Sequence, residues 1–313
     1  MEVETANLPE YETVIRIQKF FLHVVISTGS MVIGCRVTPD DFTNCVKKPT
    51  ALWLTTLAVV FVAPLSAYVL SLALHLHFSD GITILVASCC PADILSPIFA
   101  YYTNADVTLC LSVIVLTTAM SVGMIPLGIV FCSSAFSELN LVEIPHDTIV
   151  LILIQYVIGL SMGMALRKYN EKWANHTVRF LSFVPPLLVI VMVTLTTIQI
   201  PRSIQASLVG AFSVLIYLLL MVAVTYIIGA LSGQEHATSR AMALCAANKS
   251  TLLVLTIVHN SYPGDVLAEA LPVPTLLVLV YIALGVLLSA LHIIYTNVKE
   301  RQFDTTLSTE ARA

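Results

Sequence analysis

The sequence predicts an all-α membrane protein of about nine transmembrane helices, arranged as an inverted repeat with two broken helices that cross. Three observations lead to it. Of the 313 residues, 58% are of the AVILMFWYC class and only 11% are charged, whereas soluble domains carry roughly 25% charge. Apolar runs recur at the roughly 20-residue length that a spanning helix requires. Two of those runs carry helix breakers or polar groups at mid-depth.

The runs fall at 14–34, 51–73, 82–103, 107–134, 147–166, 177–199, 204–232, 238–260 and 272–296. Most are plain Leu/Ile/Val/Met segments that fill a bundle, with Gly29, Gly34, Gly159 and Gly163 as close-packing points between helices. Lysine and arginine accumulate on the cytoplasmic side of membrane proteins. With the amino terminus outside, the inner side collects Arg36, Lys47, Lys48, Arg167, Lys168, Lys172, Arg179, Arg240, Lys299, Arg301 and Arg312. The outer side keeps Arg16, Lys19 and Arg202. The expected topology is therefore an outside start, an inside finish and an odd number of spans. The acidic amino terminus (Glu2, Glu4, Glu10, Glu12) lacks the basic start of a cleavable signal peptide.

A net charge of −4 with scattered basic residues argues against nucleic-acid binding. Seven cysteines, mostly inside apolar runs, argue against a disulfide framework. No glycine loop cradles a phosphate and no nucleophile has a plausible base, so neither an ATP-driven pump nor an enzyme is expected. His23, His259 and His292 have no second ligand at helical spacing and read as packing or interface residues.

Span three reads Leu85-Val-Ala-Ser-Cys-Cys-Pro-Ala-Asp-Ile-Leu-Ser-Pro-Ile-Phe99. Pro91 and Pro97 each remove a backbone donor and clash with the preceding turn, so this helix is expected to break near its middle. Span eight reads Ala241-Met-Ala-Leu-Cys-Ala-Ala-Asn-Lys-Ser-Thr-Leu-Leu253. It holds no proline, and a break there is inferred from the polarity of Asn248, Lys249 and Ser250. Each is followed by one more span. The chain then divides into an outer tail (1–13), a first repeat (14–134), a connector with the fifth helix (135–176), a second repeat (177–296) and an inner tail (297–313). Five spans separate the broken helices, so the repeats are inverted. Interrupted helices in matching places of inverted repeats mark the binding site of secondary transporters. A lone charge at the centre of a spanning helix costs about 2.5–3.5 kcal/mol on insertion scales and usually faces a cavity or a partner. Asp93 and Lys249, one of each sign, are expected to approach one another.

The run Cys89-Cys-Pro-Ala-Asp-Ile-Leu-Ser-Pro-Ile-Phe-Ala-Tyr101 resembles the Cys-Cys-Pro-Gly-Gly-Asn-Leu-Ser-Asn stretch of the bile acid:sodium symporter family. Gly34-Cys35, Pro64-Leu-Ser-Ala-Tyr68, Gly123-Met-Ile-Pro-Leu127, Ile144-Pro-His-Asp-Thr-Ile149 and Arg240 resemble its motifs in the same order. The resemblance implies a panel of helices beside a core, sodium bound where two broken helices cross, and amphipathic organic anions such as bile acids or steroid sulfates moved by alternating access. The implied crossover cavity holds Asp93, Ser96, Thr117, Thr118, Asn248, Lys249 and Ser250.

The departures fall on the ion positions. Ser96 survives, but Pro97 replaces the asparagine beside it, Cys110 and Ile114 replace a serine and a threonine, Cys245 replaces a glutamate and Lys249 a glutamine. A further glutamine, five residues before Pro64, is Val59. Sodium wants oxygen ligands, and a thiol, an isoleucine and a proline supply none. An ammonium also repels it by several kcal/mol at low effective dielectric. The expectation is a carrier in which Lys249 stands in for a bound cation, working either uncoupled or through protonation of Asp93. The competing expectation is a non-transporting, receptor-like or regulatory relative that kept the fold, with Asp93 and Lys249 as a structural lock. Membrane lipids and an organic anion are the expected partners, the plasma membrane the expected location, and no cofactor is expected.

Overall fold

The computed structural model describes residues 8–36, 38, 49–93, 95–133, 146–181, 208–261, 270 and 272–310. Among these the chain is helical: α1 (Leu8–Arg36), α2 (Pro49–Ala73), α3 (Phe78–Cys89), α4 (Leu95–Tyr102), α5 (Val107–Ser133), α6 (His146–Tyr169), α7 (Glu171–Leu181), α8 (Leu208–Leu231), α9 (His236–Ala247), α10 (Thr251–Ser261) and α11 (Pro272–Glu310). Four of the helices are long and apolar enough to cross a membrane, over 49–73, 150–169, 210–231 and 272–296, and two shorter apolar stretches lie at 78–89 and 107–121. Most of the expected sixth span, 177–199, lies outside the described residues. The last helix runs on to Glu310, beyond the expected end at 296.

An apolar exterior accompanies an apolar core. On α2, Leu57, Phe61, Leu65, Val69 and Leu72 are all exposed and recur at three- and four-residue spacing, forming one stripe along the helix. A stripe of that kind, with an opposite face that is also buried and apolar, is the pattern of a helix set in lipid. Hydroxyls within the spans mostly close on their own helix: Thr55 on the Ala51 carbonyl, Thr56 on Leu52, Thr83 on Ser79 and Ser71 on Ala67. That is how a short polar side chain avoids an unpaired group in hydrocarbon.

Helices α1 and α6 make the most extensive helix–helix contact among the described elements. Glycine permits it. A β-carbon on Gly163 would strike the carbonyl of Met31, lie 2.8 Å from the Cys35 amide and 2.9 Å from the α-carbon of Gly34. These obstacles are backbone, which cannot step aside as a flexible side chain does. A polar clasp adds to the pairing: Gln155 Nε2 donates to the His23 carbonyl at 2.9 Å and to Ser27 Oγ at 2.6 Å, and its Oε1 lies 2.8 Å from His23 Nδ1. His23 is thus a packing residue. Gly163→Ala is expected to destabilise the fold by about 1–3 kcal/mol through overpacking. Gly123→Ala, with nothing within 4 Å of its added β-carbon, is expected to be neutral or slightly stabilising. Thermal unfolding in detergent of the two variants side by side measures the difference.

Helices α2, α4, α5 and α8 pack around α9, in which every residue from Ala241 to Ala247 is buried. Helix α8 ends at a turn where Gly233 takes φ +71°, a left-handed conformation that glycine adopts without steric cost. The chain then reverses directly into α9, the first half of the second interrupted helix.

Candidate functional site

Pro91 dictates the first interruption. The residue before a proline is driven out of the helical region, and Cys90 accordingly takes φ −70°, ψ 152°. Helix α3 stops at Cys89, the stretch Cys90-Pro91-Ala92-Asp93 is non-helical, and α4 starts at Leu95. The second interruption has no proline and arises from contact with the first. Asn248 takes φ −82°, ψ 125°, and its Nδ2 donates to the Asp93 carbonyl at 2.9 Å and to Ser96 Oγ at 3.0 Å. The Ser250 amide donates to the Pro91 carbonyl at 2.9 Å. The Pro91 and Asp93 carbonyls of the first break and the Ser250 amide of the second are therefore satisfied across the crossing, as a bilayer interior demands. The halves pack crosswise, α9 against α4 and α10 against α3.

Further bonds fix the crossing. Ser96 Oγ lies 3.4 Å from the Leu244 carbonyl, which also accepts the Tyr281 hydroxyl of α11 at 3.2 Å. The Ala92 amide donates to Thr117 Oγ1 at 3.4 Å, while that hydroxyl donates to the Val113 carbonyl at 2.7 Å. Thr117 thus bonds its own helix and touches the break at once. Arg240 reaches across from α9 to the Asn104 carbonyl at 3.1 Å.

Lys249 is 0% exposed, and its Nζ lies 3.1 Å from the carbonyl oxygen of Val59. That carbonyl is available for a local reason. Residues Ala58–Val62 form a π-helical turn in which the Ala63 amide reaches back five residues to Ala58. The next residue, Pro64, has no amide hydrogen. Neither helical donor is aimed at Val59, and the ammonium takes its place. π-turns of this kind recur at functional sites. Hydrogen bonds join the segments that carry the two charges, from Asn248 Nδ2 to the Asp93 carbonyl and from the Ser250 amide to the Pro91 carbonyl, and the ammonium bonds the Val59 carbonyl. Arg167 and Glu171 form an ion pair at 3.4 Å on the surface.

Apart from Ser96, the positions of the implied ion sites are occupied by side chains without oxygen. Cys110 Sγ lies 3.7 Å from the Ala241 carbonyl, and Ile114 and Cys245 are fully buried. Thr118 and Ser250 are buried as well, and their hydroxyls meet that of Tyr156 from α6, with Asp93 beyond. Neither Tyr156, Tyr281 nor the Val59 carbonyl stood out among the site residues read from sequence. The signal for the tyrosines was a single phenol in an otherwise apolar run, since a buried tyrosine hydroxyl needs a partner.

A model of the sodium bile acid symporter family matches residues 24–210. The ileal sodium/bile acid cotransporter of Cricetulus griseus is 25% identical over 281 residues, covering 88% of this chain and 79% of that protein. The hepatic sodium/bile acid cotransporter of Homo sapiens is 22% identical over 272 residues, covering 85% and 77%. The sodium-dependent organic anion transporter of Homo sapiens is 25% identical over 145 residues, covering 46% and 38%.

Proposed function

This chain belongs to the sodium bile acid symporter family, and we propose that it is a secondary carrier of amphipathic organic anions, bile acids or steroid sulfates, whose central cation is the ammonium of Lys249. The observation that carries this reading is the bond from Lys249 Nζ to the Val59 carbonyl, 3.1 Å long, where two interrupted helices cross. A buried ammonium on a backbone carbonyl supplies one fixed positive charge. An anion entering beside it is met by that charge and by the amide ends of the half-helices.

The side chains at the implied ion positions support independence from sodium. Cys110, Ile114 and Cys245 offer sulfur or hydrocarbon where a hard cation needs oxygen, and Lys249 repels a second cation. The cycle runs uncoupled or is driven by protonation of Asp93. Nine spans, built as inverted repeats over 14–134 and 177–296 with the connector 135–176 between them, suit the matching positions of the two interruptions. The tails 1–13 and 297–313 then lie outside and inside the plasma membrane. The basic cluster Arg167, Lys168, Lys172 and Arg179, with Trp173 exposed among them, suits a cytoplasmic face.

The test is accumulation of labelled taurocholate and a steroid sulfate by expressing cells in sodium, choline and acidified media. Uptake equal in sodium and choline is expected. Uptake that requires sodium, and keeps its affinity in Lys249→Ala, contradicts the reading.

A further inference from the structure

Helix α7 packs on α1 and α6, and its surface divides lengthwise into strips of different chemistry. Asn170 separates it from α6 and starts it: its side-chain oxygen accepts the Trp173 amide at 3.2 Å and its carbonyl accepts the Ala174 amide at 3.0 Å. At about 100° per residue, Ala174, Val178 and Leu181 share one side. Ala174 is buried there and the other two are half-buried. Trp173, His176 and Phe180 share another side and are all exposed, Trp173 by 63% and Phe180 by 60%. Their rings form a ladder, with centroids 6.3 Å apart from Trp173 to His176 and 4.4 Å apart from His176 to Phe180. Lys172 and Arg179 each stand one residue before a ring of that ladder, so a basic strip runs along the edge of the aromatic one.

The basic strip is uncompensated. Four lysines and arginines but one acid lie between 167 and 181. That acid, Glu171, is taken by Arg167 at 3.4 Å, and Arg167 also bonds the Asn175 side chain. Lys168, Lys172 and Arg179 are exposed, and among the described residues none of them has an acidic partner. Aromatic rings settle at the level where hydrocarbon meets headgroup, and a lysine or arginine beside them extends its charged end among the headgroups. A zwitterionic headgroup brings its own ammonium to meet those charges, whereas an acidic one leaves a net negative charge for them. We propose that α7 is a binding face for acidic phospholipid of the phosphatidylserine kind. Lys168, Lys172 and Arg179 hold its phosphate and carboxylate, and Trp173, His176 and Phe180 lie against the upper acyl chains. Charge complementarity selects this occupant: an apolar partner would bury three unpaired cations, and a basic one would be repelled. Because α7 packs on α1 and α6, the bound lipid holds that pair at one depth in the bilayer. The site is independent of the carrier reading.

The experiment uses the full-length protein in lipid nanodiscs. The chain holds two tryptophans, Trp53 and Trp173, so Trp53→Phe leaves Trp173 as the fluorescent reporter. Phosphatidylserine or phosphatidylcholine, brominated high on the acyl chains, is diluted into unlabelled phosphatidylcholine as the quencher. Phosphatidylserine is expected to reach half-quenching at about fivefold lower mole fraction, the factor that one basic residue contributes beside an anionic surface. The difference is expected to shrink in high salt. It is expected to vanish in Lys168→Gln/Lys172→Gln/Arg179→Gln, with quenching by phosphatidylcholine retained. Equal quenching by the two lipids in the parent protein, or a preference unchanged in the triple variant, overturns the proposal. Quenching by neither lipid also overturns it, and assigns the face to a soluble partner. Should the triple variant fail to fold, the parent protein decides: a phosphatidylserine preference that salt does not reduce overturns the site.

Discussion

Lys249→Met is expected to leave the fold standing and to cut organic-anion uptake by about a hundredfold. Methionine matches the length and volume of the lysine stem, so no cavity opens. Two effects on stability then oppose one another. Removing a buried charge relieves a desolvation cost of several kcal/mol, while stranding the Val59 carbonyl that Lys249 now bonds costs about 1–3 kcal/mol. The net change is expected to lie within about 2 kcal/mol. Transport has no such compensation. An anionic head about 6 Å from the ammonium gains roughly 3 kcal/mol at an effective dielectric of 20, and each 1.4 kcal/mol is about tenfold. Surface-normalised uptake together with Tm in detergent checks both halves. If the lysine were only a structural lock in a non-transporting relative, wild type would move no anion and the methionine variant would differ in Tm alone.

The second large effect is expected at Asn248. Its side-chain amide is the donor that the Asp93 carbonyl and Ser96 hydroxyl share, and it is 2% exposed. Asn248→Ala strands both, at a cost of about 2–4 kcal/mol. Asn248→Asp is expected to be worse although it is nearly isosteric, because a carboxylate oxygen then faces a carbonyl oxygen with no proton between them. The order wild type, Ala, Asp in Tm is the expected result, with uptake lost in both variants. A variant order set by size alone, with Asp close to wild type, would show that the second interruption does not depend on this amide.

Much of the site was legible because membrane energetics makes mid-span polarity conspicuous. Pro91 and Pro97 together announced the first interruption; Pro91 lies at it, while Pro97 falls in the first turn of α4. Asn248-Lys249-Ser250 announced the second, although its cause is tertiary: the extended Asn248 backbone is held by acceptors on the other broken segment, about 150 residues earlier in sequence. The partner of Lys249 was harder to read. An acidic residue in the matching helix suggested an ion pair, but the acceptor at its Nζ is a backbone carbonyl, and a carbonyl carries no side-chain label. Pro64 held the clue, since a proline within a helix leaves upstream carbonyls without donors. Which carbonyl is released depends on the π-turn at Ala58–Val62, and that register is fixed by packing. Tyr156 stayed hidden for the opposite reason: it lies on α6, far from either interruption in sequence, and only the seam with α5 and α10 brings its hydroxyl to Thr118 and Ser250.

The central claim is that a tethered ammonium has taken the place of a bound metal ion. Equilibrium binding of radioactive sodium to the purified protein, with and without cargo, tests it most directly. The expected result is no saturable sodium binding in wild type. Saturable, stoichiometric binding that persists unchanged in Lys249→Ala would contradict it.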